Sequence, residues 1–105
     1  MASLPEERAW ARALAVRDEA AWERFAKEAL PLVRAAVRRD LGAETLRTDL
    51  DRIVQDLSLR LLEDSGRRLM AFRGECRLTT WAAAIAVRMA RAMQASERVR
   101  AERLA

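Results

Sequence analysis

The chain has 105 residues, enough for one small domain with one hydrophobic core. Hydrophobic residues make up 51% of it, and only three Gly and two Pro interrupt the helix-forming Ala, Leu and Arg residues, so we expect an all-α fold. A single cysteine, Cys76, excludes a disulfide within these residues, and histidine, a frequent general base and metal ligand, is absent. We therefore expect a protein without catalytic activity, cofactor or bound metal.

The formal net charge of +4 is unevenly distributed along the chain. Residues 1–65 carry eleven Lys or Arg against thirteen acids, whereas residues 66–105 carry nine Arg against three acids. This excess of positive charge in the C-terminal part favours a polyanionic partner there. No run of about 18 apolar residues and no apolar signal-peptide core is present, so we expect a cytoplasmic protein without a membrane partner.

The first two predicted helices have recognisable starts. Pro5, followed by two acids, is typical of a first helical turn, where proline needs no hydrogen-bond acceptor and acids interact favourably with the helix dipole. Asp18 is the predicted N-cap of a longer second helix that ends at Gly42. Pro31 lies within this helix, so we expect either a kink or a helix held straight by packing.

A third helix follows a connector that begins at Gly42, with Thr48 or Asp49 as its N-cap and an end near Glu63. Its predicted core stripe, at helical spacing, consists of Leu50, Ile53, Val54, Leu57 and Leu61. Leu59 projects about 180° away from Leu50 on the helical wheel. Two interpretations of this outer side are open: a wide buried face, or a docking surface with apolar and charged groups.

The segment after the third helix is punctuated by turn residues. Asp64-Ser65-Gly66 predicts a turn, and Arg67–Ala71 has the composition of one or two helical turns. Gly74 is expected to interrupt regular structure before the last helix begins.

The last helix is predicted from Trp81 to about Arg98, with Thr79 or Thr80 as its N-cap. Its apolar face comprises Trp81, Ile85, Met89, Ala92 and Val99. Its flank carries Arg77, Arg88, Arg91 and Arg98, typical either of a solvated face or of contacts to phosphates. Phe72 and Trp81 are candidate core anchors or stacking platforms for unpaired bases. The expected architecture is a bundle of four main helices in one domain over residues 1–105.

Two blocks in this order resemble region 2 of the sigma-70 family of RNA polymerase sigma factors, above all its extracytoplasmic-function branch. They are DLDRIVQDLSLRLLE, from Asp49 to Glu63, and FRGECRLTTW, from Phe72 to Trp81. The likeness spans about Asp18 to Arg100 and includes the Pro-Leu-Val step at Pro31.

The resemblance implies a role in bacterial transcription initiation. In that family an acidic helix with a Val-Gln-acid core, matched by Val54-Gln55-Asp56, binds the clamp helices of the largest polymerase subunit. The implied polymerase-binding residues are Asp51, Val54, Gln55, Asp56, Leu59 and Leu62. A Phe-x-Gly, loop, Thr-Trp element, matched by Phe72, Gly74, Thr80 and Trp81, melts and holds the non-template strand of the promoter −10 element. The implied DNA-binding residues are Phe72, Arg73, Arg77, Thr80, Trp81, Arg88 and Arg91, and an anti-sigma factor is a further expected partner.

Three departures from the family pattern affect these expectations. Asp51 is followed by Arg52 where the family usually has a second acid, which weakens or redirects docking on a basic clamp surface. The last helix has Arg88 where the family commonly has Asn, so we expect base preference to be altered or lost. The family's second domain, a helix-turn-helix, is not among the 105 residues, as expected for either a fragment or a single-domain variant.

Two alternative functions remain open on the sequence. The first is a sigma-like helical module that acts in protein interaction or regulation without promoter recognition, with self-association through Leu59 and Leu62. The second is a general nucleic-acid-binding helical protein.

Overall fold

A computed structural model describes residues 4–42 and 47–105 of the chain. Its helices pack into a small bundle, and no strand occurs among the described residues, so the predicted all-α fold is confirmed. The helices are α1 (Pro5–Ala15), α2 (Glu19–Glu28), α3 (Leu30–Leu41), α4 (Arg47–Ala71) and α5 (Leu78–Leu104).

The start of α2 follows the predicted capping pattern. The backbone N–H of Ala21 donates to Asp18 Oδ2 at 2.9 Å, so Asp18 is the N-cap. Two indole N–H groups join α1 to α2, because Trp10 Nε1 donates to the carbonyl of Ala21 at 3.1 Å and Trp22 Nε1 to that of Leu14 at 3.0 Å. Buried tryptophans need such acceptors, and these bonds fix the angle between the two helices.

The long helix predicted between Asp18 and Gly42 is divided into α2 and α3 by a kink. The division falls at Ala29, whose φ of −93° and ψ of −46° depart from the helical mean, two residues before Pro31. Proline supplies no backbone N–H and its ring crowds the preceding turn, which explains the kink. Gly42 ends α3 with a φ of 107°, as predicted.

The helix α4 contains a left-handed break at the predicted turn. Asp64, Ser65 and Gly66 have φ values of 51°, 59° and 76°. A Cβ atom at Gly66 would lie 2.8 Å from Ala15 Cβ, so only glycine lets this turn approach the end of α1. The predicted cap at Thr48 or Asp49 is wrong, because α4 begins at Arg47 and these residues lie in its first turn. The connector residues 43–46 lie outside the described residues.

The helix α5 starts earlier and ends later than the sequence predicts. Arg77 is its N-cap residue, so Thr79 and Thr80 lie inside the helix and neither caps it. The backbone N–H of Leu78 instead donates to Glu7 Oε1 of α1 at 2.8 Å. The helix continues to Leu104, and every residue after Met93 is exposed. Val99 is among these residues and Ala92, just before Met93, is exposed as well, so the predicted apolar face is wrong beyond Met89.

All five α4 residues predicted as a core stripe are buried, which confirms that part of the prediction. The core draws on every helix of the bundle. Its largest fully buried side chains are Leu14, Phe25, Val33, Val37, Leu57, Leu61, Leu69 and Leu78.

We predict that Glu7→Ala lowers the free energy of unfolding by about 1 kcal/mol, the usual cost of losing an N-cap acceptor. Urea unfolding followed by circular dichroism measures the change. Glu6→Ala is the matched control, because Glu6 also lies in the first turn of α1 but is exposed. It should change stability by less than about 0.5 kcal/mol. Equal losses in the two variants would show that the effect comes from the helix dipole and not from the cap.

Candidate functional site

Gln55, Leu59 and Leu62 form an outer α4 surface that faces away from the core. Leu59 is 62% exposed, Gln55 is exposed and Leu62 is half-buried. The interpretation of a wide buried face is therefore wrong for Leu59. An exposed leucine beside a polar amide, in the middle of a packed helix, is the combination expected of a small apolar anchor at a protein interface.

The other residues expected to bind polymerase are placed differently. Val54 is buried in the core stripe, so its side chain does not contribute to the outer surface. Asp51 is exposed, but it accepts a hydrogen bond from Arg34 Nη1 at 2.6 Å, which joins α3 to α4 and partly neutralises the carboxylate. Asp56 is half-buried on the side of α4 that faces α5.

Phe72 and Trp81 form a tilted aromatic pair at the start of α5. Their ring centroids lie 4.9 Å apart with 45° between the ring planes. Phe72 is only 7% exposed, so it is a core anchor, whereas Trp81 is half-buried and presents part of its ring to solvent. The aromatic recess above this pair has a volume of about 260 Å³ and is lined by Arg68, Ala71, Phe72, Trp81, Ile85 and Arg88. That volume is below the roughly 300 to 1,000 Å³ of drug-sized ligand sites, and it suits one flat group.

The loop before α5 is held against the start of α1. The backbone N–H of Leu4 donates to the carbonyl of Gly74 at 2.7 Å. Gly74 has a φ of 74°, and a Cβ there would come within 2.7 Å of Leu4 O and of Arg8 Cγ, so glycine is required. The predicted DNA-binding residues of this segment, Arg73, Arg77 and Thr80, are all exposed.

The predicted arginine flank of α5 does not act as one surface. Arg91 forms an ion pair with Asp40 at the end of α3, in which Nε donates to Oδ2 at 2.8 Å and Nη2 donates to Oδ1. These hydrogen bonds lower the pKa of the Asp40 carboxyl and raise that of Arg91. Arg77 precedes the helix and Arg98 lies on the exposed C-terminal part, so Arg88 alone of the four lines the recess.

A second depression, the α4–α5 groove, has a volume of about 550 Å³. It is lined by Asp56, Arg60, Arg68, Ile85, Arg88, Met89, Ala92, Met93 and Ser96. Sequence reasoning missed Arg60 and Arg68 as candidate site residues. Helical periodicity places Arg60 beside the core stripe, but only the packing shows that it faces α5. Arg68 follows the break at Gly66, across which helical periodicity does not continue.

Within residues 4–42 and 47–105, no cluster of three or more His, Cys, Asp or Glu residues is arranged to hold a metal ion. Over the same ranges, no helix has the length and apolar character needed to cross a membrane.

Comparison with known proteins gives no family assignment. A scan against protein-family models, a search of curated proteins and a search of solved structures each found no match. The functional conclusion therefore depends on the geometry of the two surfaces and on the sequence resemblance.

We predict that the Asp40–Arg91 pair makes stability depend on pH. Since the pKa of Asp40 is lowered in the folded state, the pair stabilises the fold above pH values of about 4, the ordinary aspartate pKa. That contribution is lost as the pH falls through the lower folded-state pKa. Wild type should therefore unfold at higher urea than Asp40→Asn at pH values near 7, with the gap closing below about 4. Repeating the comparison in an Arg91→Ala background is the control, and a gap that survives there would contradict this assignment.

Proposed function

We propose that this chain is a region 2-like domain of a sigma factor of the extracytoplasmic-function type, which acts in bacterial transcription initiation in the cytoplasm. It binds core RNA polymerase through the outer α4 surface and holds the non-template strand of the promoter −10 element at the aromatic recess. The observation that carries the proposal is the 62% exposure of Leu59, within the block that resembles the polymerase-binding helix of that family.

The composition of the outer α4 surface supports docking on a protein. Leu59 provides apolar area, half-buried Leu62 extends it, and Gln55 supplies hydrogen-bonding groups at the edge. Interfaces commonly combine a buried apolar centre with a polar rim. Arg52 and the Asp51–Arg34 pair reduce the negative charge near this surface, so apolar burial has a larger share of the binding energy than charge attraction.

The aromatic recess supports a role in holding an unpaired base. Buried Phe72 packs against the ring of Trp81, and Arg68 and Arg88 line the recess together with that ring. Stacking of a base on an aromatic side chain contributes roughly 1 to 3 kcal/mol, comparable to the few kcal/mol needed to flip a base out of the duplex. Arg88 is long and cationic, which suits contact with a phosphate better than recognition of a base edge.

We predict that Leu59→Asp weakens binding to core RNA polymerase by roughly 30-fold, corresponding to the loss of about 2 kcal/mol expected for a hot-spot residue. Pull-down and titration with purified core enzyme measure the change. Leu32→Asp is the matched control, because Leu32 is 53% exposed on α3 and receives the same substitution. Recovery of core enzyme by Leu59→Asp at the level of the wild type would contradict the proposal that the outer α4 surface binds polymerase.

We predict that Trp81→Ala weakens binding of a single-stranded oligonucleotide by between about 5-fold and 100-fold, while Trp81→Phe retains most of the affinity because a flat ring remains. The wild-type Kd should be on the order of 10⁻⁴ to 10⁻⁶ M. Fluorescence anisotropy at physiological salt is the measurement, with unfolding midpoints confirming that both variants are folded.

A second candidate function is favoured by two observations: the burial of Phe72 and the engagement of Arg91 by Asp40. Both reduce the surface available to a strand, as expected of a sigma-like module that acts in protein interaction or regulation without promoter recognition. The same titration separates the two functions. Absence of oligonucleotide binding by the wild type, together with polymerase binding or self-association that depends on Leu59, would favour the interaction module.

A further inference from the structure

We propose that the α4–α5 groove binds the sugar–phosphate backbone of a single strand, with Arg60 as a phosphate contact. This inference rests on the proposed function, because it extends the path of the strand beyond the aromatic recess. The groove lies on one side of α4, and the outer α4 surface proposed to bind polymerase lies on another side of the same helix.

The charge of the groove favours a polyanion. Within the described part of the chain, Arg60, Arg68 and Arg88 form no ion pair, whereas Arg34 and Arg91 are each paired with an aspartate. Three unpaired guanidinium groups thus meet in one depression, and its lining includes a single acid, Asp56. Such a concentration of positive charge attracts phosphates and makes their binding sensitive to salt.

The groove adjoins the aromatic recess. The two depressions share Arg68, Ile85 and Arg88 in their linings. A strand that places one base against Trp81 therefore reaches the groove across the side chains that line both depressions. From Trp81 to Ser96, at the far end of the groove, α5 rises by roughly 22 Å. At a spacing of about 3.4 Å per phosphate in a stacked strand, this length spans roughly six phosphates.

The groove offers apolar contacts for bases beside its cations for phosphates. Met89 is buried and Met93 is half-buried, so each presents limited thioether and methylene surface at the groove. Methionine makes favourable contacts with aromatic rings, including their edges. Ala92, between them in sequence, adds little bulk. The combination of cations, methionines and an adjoining aromatic pair favours a single strand over an acidic peptide as the occupant.

The test compares Arg60→Ala with Arg52→Ala. Both arginines are exposed on α4, and only Arg60 lines the groove. Binding of a labelled single-stranded octanucleotide is followed by anisotropy between about 50 and 200 mM salt. We expect Arg60→Ala to lower the affinity and to reduce the slope of log K against log salt by about 0.7, as for one lost phosphate contact. Arg52→Ala should match the wild type, and Arg60→Lys should retain most of the slope.

Equal affinities and salt slopes for Arg60→Ala, Arg52→Ala and the wild type would overturn the proposal. If Trp81→Ala still weakens binding in that case, the groove role fails while the strand-holding function stands. If neither Trp81 nor Arg60 affects binding, both fail. An oligoglutamate peptide serves as the second probe. Peptide binding that depends on Arg60, with oligonucleotide binding that does not, would make the groove a peptide site and also overturn the proposal.

Discussion

The attachment of the loop before α5 to the first turn of α1 is the contact on which the candidate strand-binding surface depends. Leu4 holds Gly74 through the backbone, and Glu7 accepts the hydrogen bond of the Leu78 N–H. Together these bonds fix where α5 begins, and therefore where the ring of Trp81 lies relative to Phe72. The first N–H groups of a helix have no acceptor within it, so Glu7 of α1 supplies the acceptor that the loop before α5 lacks.

The same short helix also determines the path of α4. Its last residue, Ala15, contacts the left-handed turn at Gly66, and Arg68, two residues later, lines the α4–α5 groove. α1 thus contacts both segments that build the aromatic recess, although it precedes Asp18, where the resemblance to sigma region 2 begins. The part of the chain outside that resemblance consequently positions the residues within it.

Local patterns predicted the elements well because their causes are local. The Asp18 cap, the termination at Gly42 and the turn at Gly66 follow from capping and glycine conformation. Helical periodicity placed Leu59 opposite Leu50, but whether that side is buried was open until the structure showed Leu59 exposed. Contacts between distant segments were not predictable in this way. The acceptor for the Leu78 N–H lies 71 residues away in Glu7, so the threonine cap was wrong. Arg60 was missed because helical periodicity predicts on which face of a helix a residue lies, but not which other helix packs against that face.

The C-terminal part of α5 extends beyond the bundle, since residues 94–105 are exposed and the molecule measures 50 Å along its longest axis. Residues 94–105 gain no burial from tertiary packing, which supplies most of the stability of helices in folded proteins. Amide hydrogens along α5 should consequently fall into two classes, slow to exchange up to Met93 and fast beyond it. One continuous helix therefore combines a packed part, up to Met93, with a part whose stability comes from the helix's own hydrogen bonds and neighbouring turns alone.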